Sequence, residues 1–177
     1  MQVDLVHIFI KAAIEVLRQE IGEEAAAGSV KVLSSAQTSE EVTVIIGVTG
    51  DVRGMVLLGM SERTAKQIVG RMMGEPCPLF DELAQSGIAE MGNVITGLAT
   101  QGLEQAGYRA TISPPALVAG GPGIIISTVN IRRFVVPLRT GVGDLVLHAA
   151  LELAPTVRGQ AAAVNGHQAV PSSLPSA

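Results

Sequence analysis

Ser86, Glu90 and Asn93 stand four and then three residues apart. On an α-helix that spacing stacks three polar side chains on one side. A carboxylate only accepts hydrogen bonds, whereas a carboxamide both donates and accepts. The pair is therefore suited to meeting a partner's polar groups. The surrounding glycines favour close approach. Gly87, Gly92, Gly97 and Gly102 all fall inside the same helical run, and each costs roughly 1 kcal/mol relative to alanine in a helix interior. Gly87 and Gly102 are expected to seat the helix against the sheet. Gly92 and Gly97 are expected to lower the surface around Asn93. The alternative reading is tight packing in a core of small residues.

The helix that carries these residues is read from about Phe80 to Ala106, ended by Gly107. With Ser86 as zero, Glu82, Glu90, Asn93, Gly97, Thr100 and Glu104 fall within about 40° of it at 100° per residue. Ile88, Met91, Ile95, Leu98, Ala99, Gly102 and Ala106 fall on the other side. One face thus packs on a sheet and the other is a polar stripe, on which Asn93 is expected to be exposed.

The other elements follow from the same periodicities. Residues 3–20 read as an amphipathic helix through Val6, Phe9, Ile10, Ala13, Val16 and Leu17. Strand-like runs occupy about 29–36, 41–49 and 52–59, the last two joined at Gly50-Asp51 as a hairpin. Ser61 is placed to cap a helix that runs to about Met73, where Gly74 and Pro76 stop it. Short strands are expected near 109–113 and 116–119, then at 124–129, 134–139 and 145–153, the late strands forming an antiparallel hairpin. Helices and strands are segregated, which gives an α+β fold with a mainly antiparallel sheet. One domain is expected over residues 1–154, followed by a low-complexity tail over 155–177 rich in Ala, Gln, Pro, Ser and Asn.

Composition excludes several classes. Aromatics are only 2% of the chain, so the core must be built from Val, Ile, Leu, Ala and Met. The net charge of −4 has no clustered basic face to bind nucleic acid. Arg132-Arg133 reads as a solvated or structural pair. Cys77 is the only cysteine, so no intrachain disulfide forms, and its place between two prolines is that of an ordinary loop residue. His7, His148 and His167 lack metal-ligand spacing, and His148 reads as packed or at an edge. Gly120-Gly121-Pro122-Gly123 lacks the lysine and hydroxyl residue of a phosphate loop and reads as a turn. Ser86 has no histidine near it in sequence and does not sit on a nucleophile elbow. The start of the chain has no signal-peptide pattern, and no run approaches the roughly 20 apolar residues that span a bilayer. A cytoplasmic location is expected.

The segment Ser86-x-x-x-Glu90-x-x-Asn93, within Ile88-Ala89-Glu90-Met91-Gly92-Asn93-Val94-Ile95-Thr96-Gly97, resembles the signature of the CheC/CheX/FliY chemotaxis phosphatases. The opening helix Phe9 to Leu17, and Gly50-Asp51-Val52-Arg53-Gly54 followed by Met60-Ser61-Glu62, are similar to the CheX branch. The likeness covers about residues 3 to 153. The opening helix carries Lys11-x-x-x-Glu15-x-x-Arg18, with Arg where a second copy of the signature would have Asn. One active centre is therefore implied.

The resemblance implies a phosphatase that removes the aspartyl phosphate of a CheY-like response regulator. In this reading Asn93 orients the attacking water and Glu90 docks a lysine of the partner. Ser86 and Gly97 belong to the same contact surface. It implies no cofactor and no metal site of its own, with Mg²⁺ held by the response regulator. It also implies a two-fold homodimer, with an edge strand able to supply the contact. The alternative is a non-catalytic response-regulator-binding module or adaptor on the same fold. A structural piece of a flagellar or chemosensory assembly is a third reading.

Overall fold

A computed structural model describes residues 2–22, 24–33, 37–38, 40–120, 126–127 and 132–155. Helix α1 spans Gln2–Ile21 and is followed by strands β1 (Ala26–Ala27), β2 (Lys31–Leu33) and β3 (Gln37–Thr38). The hairpin of β4 (Val42–Gly50) and β5 (Val52–Met60) leads into α2 (Glu62–Met73) and α3 (Glu82–Gln105). Strands β6 (Ala110–Ile112), β7 (Ala116–Ala119), β8 (Ile126–Ser127), β9 (Arg133–Thr140) and β10 (Gly143–Leu153) complete the described order. The expected α+β fold with an antiparallel sheet is present. The strand expected at 124–129 is described only at Ile126–Ser127, residues 121–123 of the turn expected at 120–123 lie outside the described residues, and so does the tail from 156.

Four long strands form the centre of the sheet in the order β9-β10-β5-β4, every pair antiparallel. The outer edge of β9 is lined by β1 and β2, and that of β4 by β6 and β7. These outer strands have only two to four residues each, which keeps the exposed backbone edges short.

Register decides which side chains meet the helices. Val44, Leu58, Leu147 and Val136 are directly paired across four strands, so they share one face. All four are buried in the main core, together with Phe9, Ala13 and Leu17 of α1, Ile68 and Val69 of α2, and Ile88, Met91 and Ile95 of α3. The three helices therefore cover this face, with α1 and α3 packed along each other. Burying a large aliphatic side chain is worth roughly 1.5–3 kcal/mol. Repeated along the helices, that term fixes their rotation about their own axes.

Caps set the helix limits. Ser61 accepts a hydrogen bond from the Thr64 amide at 3.1 Å, and Glu41 accepts from the Glu62 amide at 2.8 Å. Gly74 ends α2 with φ +74, a left-handed conformation that favours glycine. At α3, Asp81 rather than Phe80 marks the boundary, because its carboxylate accepts from the Ala84 amide at 3.0 Å.

The opposite face of the sheet is also partly buried. Ile45, Leu57, His148 and Val135 pair in one row, and Leu57 and His148 are 0% and 4% exposed. The Arg132-Arg133 pair divides: Arg132 is exposed, while Arg133 opens β9 with its side chain buried. Burial, reinforced by the charge of Arg133, pushes the His148 imidazole down to about 4.

Two predictions follow from these contacts. Gly54 sits at φ +139, and a Cβ there would lie 1.9 Å from the Ala150 carbonyl oxygen. Gly54→Ala should cost at least about 3 kcal/mol, because backbone strain and overpacking act together. Urea unfolding measures this cost. His148 is depressed in the fold relative to its unfolded value, so above pH 6.5 both states are neutral and stability is flat. As pH falls from about 6.5 to about 4, the unfolded chain takes up the proton first and stability drops by on the order of 2–3 kcal/mol. Comparing wild type with His148→Gln across that window isolates the contribution as a difference in slope.

Candidate functional site

Helix α3 has 24 residues, and its buried residues are Ala84, Ile88, Met91, Gly92, Ile95, Thr96, Ala99 and Leu103. Ser86 and Glu90 are exposed, and Asn93 and Gly97 are half-buried. The four stripe residues thus lie together on the side away from the sheet. Asn93 departs from the expected full exposure. The buried arc of the helix includes Gly92 and Thr96, so Asn93 stands at the margin between core and solvent.

The hydroxyls of this helix are used internally. Ser86 donates to the Glu82 carbonyl at 2.8 Å, Thr96 to the Gly92 carbonyl, and Thr100 to the Thr96 carbonyl at 2.8 Å. Such back-bonds satisfy the hydroxyl within its own helix. Among the described residues, no hydrogen bond or ion pair engages the side chain of Glu90 or Asn93. A carboxylate and a carboxamide less than one turn apart therefore keep their hydrogen-bonding capacity for a molecule outside the chain.

The equivalent positions on α1 behave differently. Arg18 donates to Glu15 at 2.7 Å, and Gln19 donates to the same carboxylate oxygen. The Arg18 guanidinium holds the Glu15 carboxyl below the usual carboxylate range. The carboxylate at the corresponding place in the α1 spacing is thus occupied by its own helix.

The glycines divide otherwise than expected. A Cβ at Gly92 would lie 2.8 Å from Val44 Cγ1, so Gly92 is the point where α3 crosses β4. At Gly102 a Cβ would lie 2.7 Å from Ile8 Cγ2, so this glycine admits α1 rather than the sheet. Gly87 would meet only Val69 of α2 at an ordinary 3.7 Å. Gly97 faces open space, and it alone of the four keeps the surface beside Asn93 low without a packing reason.

Apolar positions on the polar side escaped the sequence reading. Leu79, Leu83 and Val94 are 70%, 65% and 38% exposed. Leu83 and Val94 fall about 60° and 80° from Ser86, on the Glu90 side of the stripe. An apolar residue out of phase with the buried arc was the signal available.

No group of three or more His, Cys, Asp or Glu among the described residues is placed to hold a metal ion. No helix among them is long and apolar enough to cross a membrane. A cleft of about 900 Å³ lies elsewhere, between α2, the 74–78 loop and the β9–β10 turn, lined by Arg63, Lys66, Arg71 and Cys77 among others. It contains none of the stripe residues.

Fold and stripe together define an α+β protein with one helical face that carries a carboxylate and a carboxamide unengaged by other described residues. The chain belongs to the CheX family: the family model for the chemotaxis phosphatase CheX matches residues 42–139. A CheY-P phosphatase CheX of Thermotoga maritima is 32% identical over 121 residues, covering 68% of this chain and 78% of that protein. The CheX of a CheX-CheY-BeF3-Mg²⁺ complex from Borrelia burgdorferi superposes with TM-score 0.72 at 25% identity, covering 83% of this chain and 97% of the other. A CheC-like superfamily protein from a Shewanella species matches with TM-score 0.78 at 23% identity over 86% of this chain and 99% of the other, a likeness of fold.

The glycine contacts give a paired prediction. Gly97→Ala should raise stability by about 0.5–1 kcal/mol through helix propensity alone. Gly92→Ala gains the same propensity but must displace Val44, so it should lower stability by about 1–2 kcal/mol. Thermal midpoints shifting in opposite directions check the assignment.

Proposed function

We propose that this chain hydrolyses the aspartyl phosphate of a CheY-type response regulator. Support comes from its family and from the 32% identical relative that is a CheY-P phosphatase. A CheX–CheY complex with BeF3 and Mg²⁺ exists for a protein of the same fold. The observation that carries the reading is that Glu90 and Asn93 share one helical face and that neither is engaged by another described residue.

The chemistry asks little covalent help from the protein. Phosphoryl transfer to water passes through a loose transition state, so catalysis rests on positioning and on charge stabilisation. In the proposed complex α3 lies across the phosphorylated site of the regulator. The Asn93 amide oxygen accepts from the attacking water and its NH2 donates to a phosphoryl oxygen, holding the water in line with the aspartyl oxygen. The water oxygen bonds to phosphorus, the bond from phosphorus to the aspartyl oxygen breaks, and inorganic phosphate leaves with a free aspartate behind. Mg²⁺ belongs to the response regulator, where it neutralises the phosphoryl charge. The main contribution of this chain is orientation, and misplacing a reacting group by about 1 Å can cost about a hundredfold.

Glu90, one turn from Asn93, pairs with a lysine of the regulator and fixes the register of docking. Ser86 lies a further turn back and adjusts the contact. Gly97 leaves room for the regulator's backbone beside the amide. The reading carries with it a cytoplasmic location and a two-fold homodimer through an edge strand.

The test is decay of the phosphorylated regulator. Wild-type chain should accelerate it. Asn93→Ala, and the isosteric Asn93→Asp, should lower kcat about a hundredfold or more with the fold intact. Glu90→Gln should act mainly by raising KM. A wild-type chain that leaves the lifetime of every CheY-type regulator unchanged would sink the assignment, and a fully active Asn93→Ala would reject the mechanism.

A further inference from the structure

The two most exposed large apolar side chains among the described residues are Leu79 and Leu83, at 70% and 65%. Both stand at the entrance to α3, on either side of its cap Asp81. Val94, 38% exposed, continues the line beyond Glu90 on the same helix. Single exposed leucines are common on protein surfaces, but Leu83 and Val94 lie on the Glu90 side of the stripe and Leu79 stands two residues before the helix cap, a concentration that is informative. Leu83 and Val94 are eleven residues apart, about 16 Å along the axis, and bracket Glu90.

Charge on this helix narrows the occupant. Helix α3 contains Glu82, Glu90 and Glu104 and no lysine or arginine over its 24 residues. The face is thus apolar and acidic, and it fits a partner surface that offers apolar contact with basic groups around it. Stable interfaces follow that arrangement, with apolar side chains excluding water from polar contacts that set register.

We infer that Leu79 and Leu83, with Val94 as a lesser contact, are the apolar anchors that bind the CheY-type regulator and hold it over Asn93. The inference rests on the proposed phosphatase reading and adds positioning residues to it. Neither leucine touches the reacting atoms. They act through the placement of the partner, and their loss moves affinity and not the chemical step. Ordered docking runs from Leu79 and Leu83 at the start of the helix, through Ser86 and Glu90, to the amide of Asn93.

The experiment measures steady-state decay of the phosphorylated regulator and, separately, affinity for the same regulator loaded with BeF3 and Mg²⁺. Removal of a buried leucine contact should weaken binding about tenfold. Leu83→Ser should therefore raise KM and Kd about tenfold with kcat within about twofold of wild type. Leu79→Ser should do so several-fold, and Leu83→Met should restore most of the affinity. Thermal midpoints should stay unchanged, because both side chains are already in solvent. Unchanged KM and Kd in Leu83→Ser, with Asn93→Ala still inactive, would overturn the anchor and leave the phosphatase reading standing. A change in oligomeric state of Leu83→Ser by sedimentation, without loss of affinity, would instead assign the leucines to a second copy of this chain and overturn the inference. A wild-type chain without activity or binding would overturn both readings together.

Discussion

Helix α3 lies where it does because residue 92 has no side chain. Any Cβ there would press on Val44 at 2.8 Å, and Val44 is a stiff, β-branched residue in the middle of β4. The approach at Gly92 sets the distance of the helix from the sheet, and the approach of Ile8 at Gly102 sets its distance from α1. With these two contacts fixed and Ile88, Met91 and Ile95 in the core, the helix has one rotation available. Glu90 and Asn93 face outward as a result of packing on the far side.

The same constraint explains the quiet chemistry of the stripe. Ser86 and Thr100 return their hydroxyls to their own helix, so the polar groups left unengaged on the stripe are few. Helix α1, packed against α3, has a similar spacing of residues but closes its carboxylate with Arg18. Two neighbouring helices of related pattern therefore differ in what they offer to solvent. The difference lies in two positions: Arg18 and Gln19 both donate to Glu15, where α3 has Asn93 and Val94 at the same spacing from Glu90.

Much of the fold was legible because it is carried by periodicity. The β-branched richness of Thr43 to Val48 marks a strand, and the 3.6-residue repeat of α1 and α3 is imposed by burial on one side; the register of β4 against β5 bears out the hairpin. The Glu90–Asn93 face was legible for the same reason. What was not legible depended on which neighbour a small residue meets. Gly92 and Gly97 look alike in sequence, yet one touches Val44 and the other touches nothing. Asn93 read as exposed from its angle, but its place beside the buried arc makes it half-buried. Arg133 read as a surface or structural cation beside Arg132, and only the pairing of β9 puts its side chain inside. Leu79 lies outside the helix, where no period applies.

The spacing of Glu90 and Asn93 has a mechanical corollary. The carboxylate and the amide stand three positions apart on one continuous helix, with no loop or hinge between them. The two groups translate and rotate as a rigid unit, so neither can be withdrawn while the other stays in place. Control over such a device must come from outside it, by masking the whole face or by limiting the supply of molecules that reach it.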